Sequence, residues 1–286
     1  MLIRQRLLQY SYLMRLDKPI GILLLLWPTL WALWLAAQGK PDRKVLCIFI
    51  TGVVLMRSAG CVINDLTDRH IDGFVQRTHQ RPLPSGSVTP KEALVLAAIL
   101  LMLAFLLVLL TNHFTIQLAF VGAILTLIYP MMKRFTYLPQ CGLGLAFSWG
   151  MPMAFAAQRD SVTFSAWFLF FTGLIWPIIY DTLYAMVDRE DDLKINVKST
   201  AILFNTKDKF IIACLQLIFL IMLVIVGMLF QLHQIYYFSL LIVFLLFIYQ
   251  QWLIKKREPQ QCFQAFLNNN YVGFVIFCGI CLSYLQ

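Results

Sequence analysis

Apolar stretches recur along the whole chain, each about as long as a bilayer is thick. Nine lie at roughly 19–37, 44–64, 91–111, 114–131, 138–157, 164–187, 209–230, 234–253 and 266–285, each near the ~20 residues a helix needs to cross the hydrocarbon core. The fourth and fifth are short and contain Pro130 and Pro152. Of 286 residues, 60% are hydrophobic and 13% charged, whereas a soluble domain carries about 25% charge. The expectation is an all-α polytopic membrane bundle of about nine transmembrane helices, forming one domain over 1–286. No small-residue cleavage site follows Arg4, Arg6, Arg15 and Lys18, so the first stretch reads as a span rather than a cleaved signal.

The net charge of +9 raises the possibility of a nucleic-acid partner, and its distribution argues against one. With nine spans, eighteen of the 23 Lys and Arg fall in the N-terminal tail and the loops 65–91, 132–137, 188–209 and 254–265. The opposite side holds Lys40, Arg43, Lys44 and Arg159, and Arg57 lies inside a span. Cytoplasmic loops carry the excess of Lys and Arg. The N-terminus is therefore expected in the cytoplasm and the C-terminus outside, in a bacterial-type inner membrane.

Two acidic stretches interrupt the apolar pattern, 64–72 and 181–192, and hold most of the chain's 14 Asp and Glu. Residues four apart on a helix are neighbours. Asn64, Asp68 and Asp72 thus share one face, and so do Asp181, Tyr184, Asp188 and Asp192; Asp65 and Asp191 flank them. Like charges at this spacing repel unless a cation lies between them, and a hard divalent ion suits carboxylate oxygens and bridges to phosphate. Both stretches fall on the cytoplasmic side, and a basic loop follows each. Arg77, Arg81, Lys133, Arg134, Lys194 and Lys198 complete a diphosphate site, with Arg as a bidentate fork and Lys as a point charge. Asp68 and Asp188 are 120 residues apart, which points to two motif-bearing half-bundles, about 15–135 and 136–255, followed by a last helix at about 266–285. Thr89, Pro90 and Glu92 read as a capping box that opens a helix near residue 90.

Other features bear less on chemistry. The seven cysteines lie mostly in spans as small apolar residues. The histidines His70, His79, His113 and His233 lack metal-ligand spacing. Trp27, Trp31 and Trp34 recur at helical spacing, for packing or for facing a cavity as cation-stabilising rings. Arg57 precedes Asn64 by two helical turns; it either pairs with an acidic neighbour or holds an anionic substrate group.

Asn-Asp-x-x-Asp-x-x-x-Asp at 64–72 and Asp-x-x-Tyr-Ala-x-x-Asp-x-x-x-Asp at 181–192 resemble the two signatures of the UbiA superfamily of intramembrane aromatic prenyltransferases. Leu16-Asp17-Lys18-Pro19, Arg77-Thr78, Arg81-Pro82-Leu83, Tyr129-Pro130, Lys133-Arg134 and Lys198-Ser199-Thr200 resemble its 4-hydroxybenzoate branch. The resemblance covers about 10–210; the last three spans look generic. It implies nine helices around a central cavity with a cytoplasmic mouth. It also implies Mg2+ on Asn64, Asp68 and Asp72 and on Asp188 and Asp192, bridged by a polyprenyl diphosphate that Arg134 contacts. The reaction implied is prenylation of 4-hydroxybenzoate ortho to its hydroxyl, in ubiquinone biosynthesis. Relatives acting on haem, dihydroxynaphthoate, homogentisate or chlorophyll precursors share the acidic motifs, and the flanking segments favour 4-hydroxybenzoate. A cation-coupled transporter would instead place its carboxylates at broken helices near the midplane. Oligomeric state and prenyl chain length stay open.

Overall fold

A computed structural model describes residues 2–69 and 80–286, and every regular element among them is helical. The chain runs through α1 (Leu2–Leu13), α2 (Ile20–Ala36), α3 (Arg43–Asp68), α4 (Pro90–Val108), α5 (His113–Ile128), α6 (Met132–Phe135) and α7 (Pro139–Ser148). It continues through α8 (Gly150–Arg159), α9 (Phe164–Lys194), α10 (Thr200–Phe204), α11 (Asp208–Leu229), α12 (Gln234–Leu253) and α13 (Pro259–Ser283). Asp72, Arg77, His70 and His79 lie outside the described residues.

Among the described residues, seven helices are long and apolar enough to cross a membrane. The two other expected spans take different forms. The first is the 17-residue helix α2. The fifth is two ten-residue pieces, α7 and α8, meeting at Trp149. Pro152 has no N–H to give the Ser148 carbonyl, so helical bonding lapses there. Pro28 and Pro177 sit inside α2 and α9, where packed neighbours can compensate the lost bonds.

The helix starts are locally encoded. Asp42 caps α3 by accepting from Val45 N at 2.9 Å, and Asn112 caps α5 from Thr115 N at 2.9 Å. The expected box at α4 is present: Glu92 N donates to Thr89 Oγ1, and Thr89 N donates to Glu92 Oε2 at 2.8 Å. Such a cap is worth about 1 kcal/mol.

The main core lies where α2, α8, α9, α11, α12 and α13 meet, around the fully buried Trp31, Trp176 and Tyr236. A second cluster packs Leu13 of α1 against α3 and α4. Lipid-facing positions such as Leu94, Phe120, Phe210, Phe238 and Trp252 are exposed, as expected where hydrocarbon is the solvent.

The last helix is less generic than its hydropathy. It begins at Pro259, seven residues before the expected start, because Gln260, Gln261 and the run Asn268–Asn270 dilute the apolar signal. Successive residues on a helix point ~100° apart, and the three asparagines fan out to three neighbours. Asn268 accepts from Gln250 of α12 at 2.9 Å, Asn269 from Trp176 of α9 at 3.0 Å, and Asn270 from Trp27 of α2 at 2.8 Å. Trp31 also donates to the Gly273 carbonyl at 3.0 Å, and Trp34 packs edge-on against Phe277. The tryptophans of α2 therefore serve packing, and none of them lines the cavity described below.

Candidate active site

A cavity of about 1030 Å³ opens between the acidic ends of α3 and α9. Each helix presents one stripe to it. From α3 come Arg57, Cys61, Asn64, Asp65 and Asp68; from α9 come Tyr180, Asp181, Tyr184, Ala185, Asp188 and Asp192. Both stripes follow 3.6-residue periodicity. They exist because both helices outrun the apolar segments: α3 continues to Asp68 and α9 to Lys194 without a break. The acidic stretch of α9 thus lies on the helix itself rather than in a basic loop.

The first stripe is held by cations from three segments. Asp65 is fully buried and receives Arg15 Nη2 at 2.9 Å and Arg81 Nη1 at 3.1 Å. Asp68, 1% exposed, is paired with Lys133 Nζ. A buried carboxylate is tolerable only with such partners. Arg134 differs from its expected place. It is exposed, lies outside the cavity lining, and donates to the Thr67 carbonyl, bracing the last turn of α3.

The second stripe is backed by polar contacts. Lys198 N donates to the Lys133 carbonyl at 3.1 Å, which joins the two basic segments. Gln140 accepts from Thr200 N at 3.1 Å, and the Thr182 and Thr200 hydroxyls are 2.7 Å apart. Lys198 Nζ also lies 5.3 Å from the Tyr137 ring. Asp191 faces away from the cavity and pairs with Lys194 at 3.1 Å.

Arg57 lies at the inner end of the cavity. Its guanidinium lies against Gly21, where a Cβ would come within 2.5 Å of Nε, and 5.7 Å from the Phe147 ring. Among the described residues it has no ion pair, and its buried Nε has no hydrogen-bond partner. The pairing alternative for Arg57 is therefore not what the structure adopts. Beyond Arg57, Tyr129 and Phe147 a second, apolar groove of about 350 Å³ begins, lined by residues of α2, α3, α4, α5, α7 and α8. The sequence offers no period or motif for this groove.

Among the described residues, no three His, Cys, Asp or Glu side chains converge closely enough to hold a metal ion by themselves. The oxygen donors instead line opposite walls of one cavity. That arrangement fits Mg2+, which usually takes one or two carboxylates and completes its shell with phosphate oxygens and water.

A helical membrane bundle with two carboxylate-bearing helix ends facing across a cation-lined cavity defines an integral membrane protein built to handle a polyanion at the lipid boundary. The profile of the UbiA prenyltransferase family matches residues 25–275, and the chain belongs to that family. It is 63% identical over 276 residues to a 4-hydroxybenzoate octaprenyltransferase of Psychromonas ingrahamii, covering 96% of each chain. Among solved structures, a UbiA homologue from Aeropyrum pernix matches with a TM-score of 0.80 at 22% identity, over 92% of this chain and 97% of that one. A UbiA homologue from Archaeoglobus fulgidus bound to GPP and Mg2+ matches with a TM-score of 0.73 at 15% identity, over 96% and 99%.

Proposed function

We propose that this protein transfers a polyprenyl group from its diphosphate to the ring carbon ortho to the hydroxyl of 4-hydroxybenzoate, with Mg2+ as the metal. The observation that carries the proposal is the facing of the α3 and α9 stripes across one cavity that continues into an apolar groove. The name of the Psychromonas relative and the ligands of the Archaeoglobus homologue support the same substrates and ion.

Asn64 and Asp68 on α3, with Asp188 and Asp192 on α9, would hold the metal; Asp72 is assigned to the first set by its spacing alone. Bound there, Mg2+ would neutralise charge developing on the leaving diphosphate. Arg81, Lys133 and Lys198 line the same cavity and offer cations to diphosphate oxygens; Arg77 joins them by sequence position. Leu24, Leu143, Phe147 and Phe266 make the inner wall apolar, so water is kept from an allylic cation before the ring attacks it. The ring proton then leaves and aromaticity returns.

Arg57 is assigned to the acceptor's carboxylate, because an anion in an apolar cavity needs a cation. Arg57→Leu should raise KM for 4-hydroxybenzoate by about tenfold or more while leaving that for the prenyl diphosphate nearly unchanged. Preference for the acid over its methyl ester should fall as well. Equal loss for both substrates, or an intact preference for the acid, would assign the anchor elsewhere.

The apolar groove is assigned to the prenyl tail. Gly52 and Gly60 line it, and a Cβ built at either one meets nothing within 4 Å. Gly60→Leu would extend a branched side chain into the groove from this open Cβ position and would improve helix propensity. It should shift relative turnover towards geranyl diphosphate over octaprenyl diphosphate by about tenfold. Unchanged chain-length preference in competition assays would show that the tail runs elsewhere.

The topology follows the same reading. Nine passages with the N-terminus in the cytoplasm and the C-terminus outside, in a bacterial inner membrane, put the acidic helix ends beside eighteen of the 23 Lys and Arg. The order α2–α5 and then α7–α12 carries one acidic end in each half, in keeping with two related half-bundles and a closing α13.

A further inference from the structure

Asp208 lies outside both acidic motifs and outside the cavity, yet it is fully buried. Its carboxylate gathers cations from two distant segments. Arg257, in the connection between α12 and α13, donates Nε to both oxygens at 3.0 Å and Nη2 to Oδ1 at 2.8 Å. Arg189 of α9 donates Nη2 to Oδ2. Lys209 N adds a bond to Oδ1 at 2.6 Å, and Arg257 Nη2 also holds the Thr206 carbonyl at 2.7 Å. Arg257 adopts φ +57°, a left-handed backbone that few non-glycine residues occupy.

Arg189 directly follows Asp188 and precedes Asp192 by three residues. It points away from the cavity, while those two carboxylates line it. Met186 is the last buried residue of α9 and Val187 the last that packs against the main core, so the turn bearing Asp192 has no core packing of its own. The Arg189 anchor fixes the rotation of this end of α9 about the helix axis. The first motif is held in a parallel way, since buried Asp65 receives both Arg15 and Arg81.

We propose that the Arg189–Asp208–Arg257 cluster is a positioning device that aims Asp188 and Asp192 into the cavity for the metal–diphosphate complex. The proposal rests on the reading of those two carboxylates as metal ligands. None of the three cluster residues lines the cavity. Outer partners of this kind typically change metal affinity by about 10–100-fold when removed.

The test uses full-length protein in detergent, with Mn2+ and unreactive geranyl S-thiolodiphosphate followed by electron paramagnetic resonance. Asp208→Asn should weaken Mn2+ binding and raise the half-activating Mg2+ concentration by about tenfold or more, with KM for 4-hydroxybenzoate within about twofold of wild type. Where Asp208→Asn fails to accumulate as folded protein, Arg257→Gln and Arg257→Lys replace it. The glutamine variant should show the same metal defect, and the lysine variant should recover most of the affinity. A folded variant that melts earlier but binds Mn2+ like wild type overturns the positioning role. So does an equal loss for metal and aromatic acid, or a lysine variant no better than glutamine. Wild-type protein that binds no Mn2+ overturns the metal-site reading itself, and the positioning role with it.

Discussion

Asp188→Ala and Asp68→Ala proteins should insert and fold but lose nearly all prenyl transfer. Asp188 and Asp68 lie on opposite walls of the same cavity. Removing either takes a hard oxygen ligand from the metal and leaves charge on the departing diphosphate less neutralised. An effect of several kcal/mol on the barrier corresponds to a loss of roughly 100-fold or more in kcat. The two variants should differ in stability. Asp68 is buried against Lys133, so Asp68→Ala takes away the carboxylate that this ammonium pairs with. Asp188 is only half-buried at a helix end, and Asp188→Ala should cost little in thermal stability. Product formation by mass spectrometry, with the melting temperature of the same preparation, separates the two effects. Ordinary turnover at ordinary Mg2+ in either variant would remove that residue from the metal site. Asp191, turned away and paired with Lys194, should tolerate the same change.

The second large effect is metal removal. Exhaustive EDTA treatment should abolish turnover, and excess Mg2+ should restore it, with Mn2+ able to substitute. The carboxylates and amides lining the cavity are hard oxygen donors, with Cys61 the single thiol among the lining residues, which suits hard ions. Because no three such ligands converge among the described residues, metal binding should tighten when a prenyl diphosphate analogue is present. Titrating Mn2+ with and without the analogue measures this. Undiminished product formation in the chelated protein would contradict the assignment.

Much of this site is legible in the sequence because membrane spans make carboxylates conspicuous. Asn64, Asp68, Asp181, Tyr184, Asp188 and Asp192 stand out at helical spacing, and all six line the cavity. Arg57 stands out for the same reason. The nine apolar stretches likewise mark the helices, though α7 and α8 form a broken pair where a single span was expected.

What the sequence hides is set by contacts between distant segments. Asp208 is a lone acid in a basic stretch, and its partners Arg189 and Arg257 are 19 and 49 residues away. The asparagine run in α13 lowers apparent hydropathy and so looks like a weak span, although each amide binds a different neighbour. Arg134 and Lys133 are adjacent and look equivalent. One braces the end of α3 and the other pairs with Asp68, because consecutive residues on a helical turn point in different directions. The apolar groove has no signature because its lining comes from several helices at once.

We propose above all that one cavity joins a metal-bound prenyl diphosphate to an aromatic acid. The most direct test of this is mass spectrometry of the products that the purified full-length protein makes in detergent or vesicles with Mg2+. The substrates would be a panel of prenyl diphosphates paired with 4-hydroxybenzoate, dihydroxynaphthoate and homogentisate. A 3-polyprenyl-4-hydroxybenzoate should be the dominant product, and it should be absent when Mg2+ is withheld. Prenylation of another acceptor in preference to 4-hydroxybenzoate, or the same product without divalent metal, would contradict the proposal.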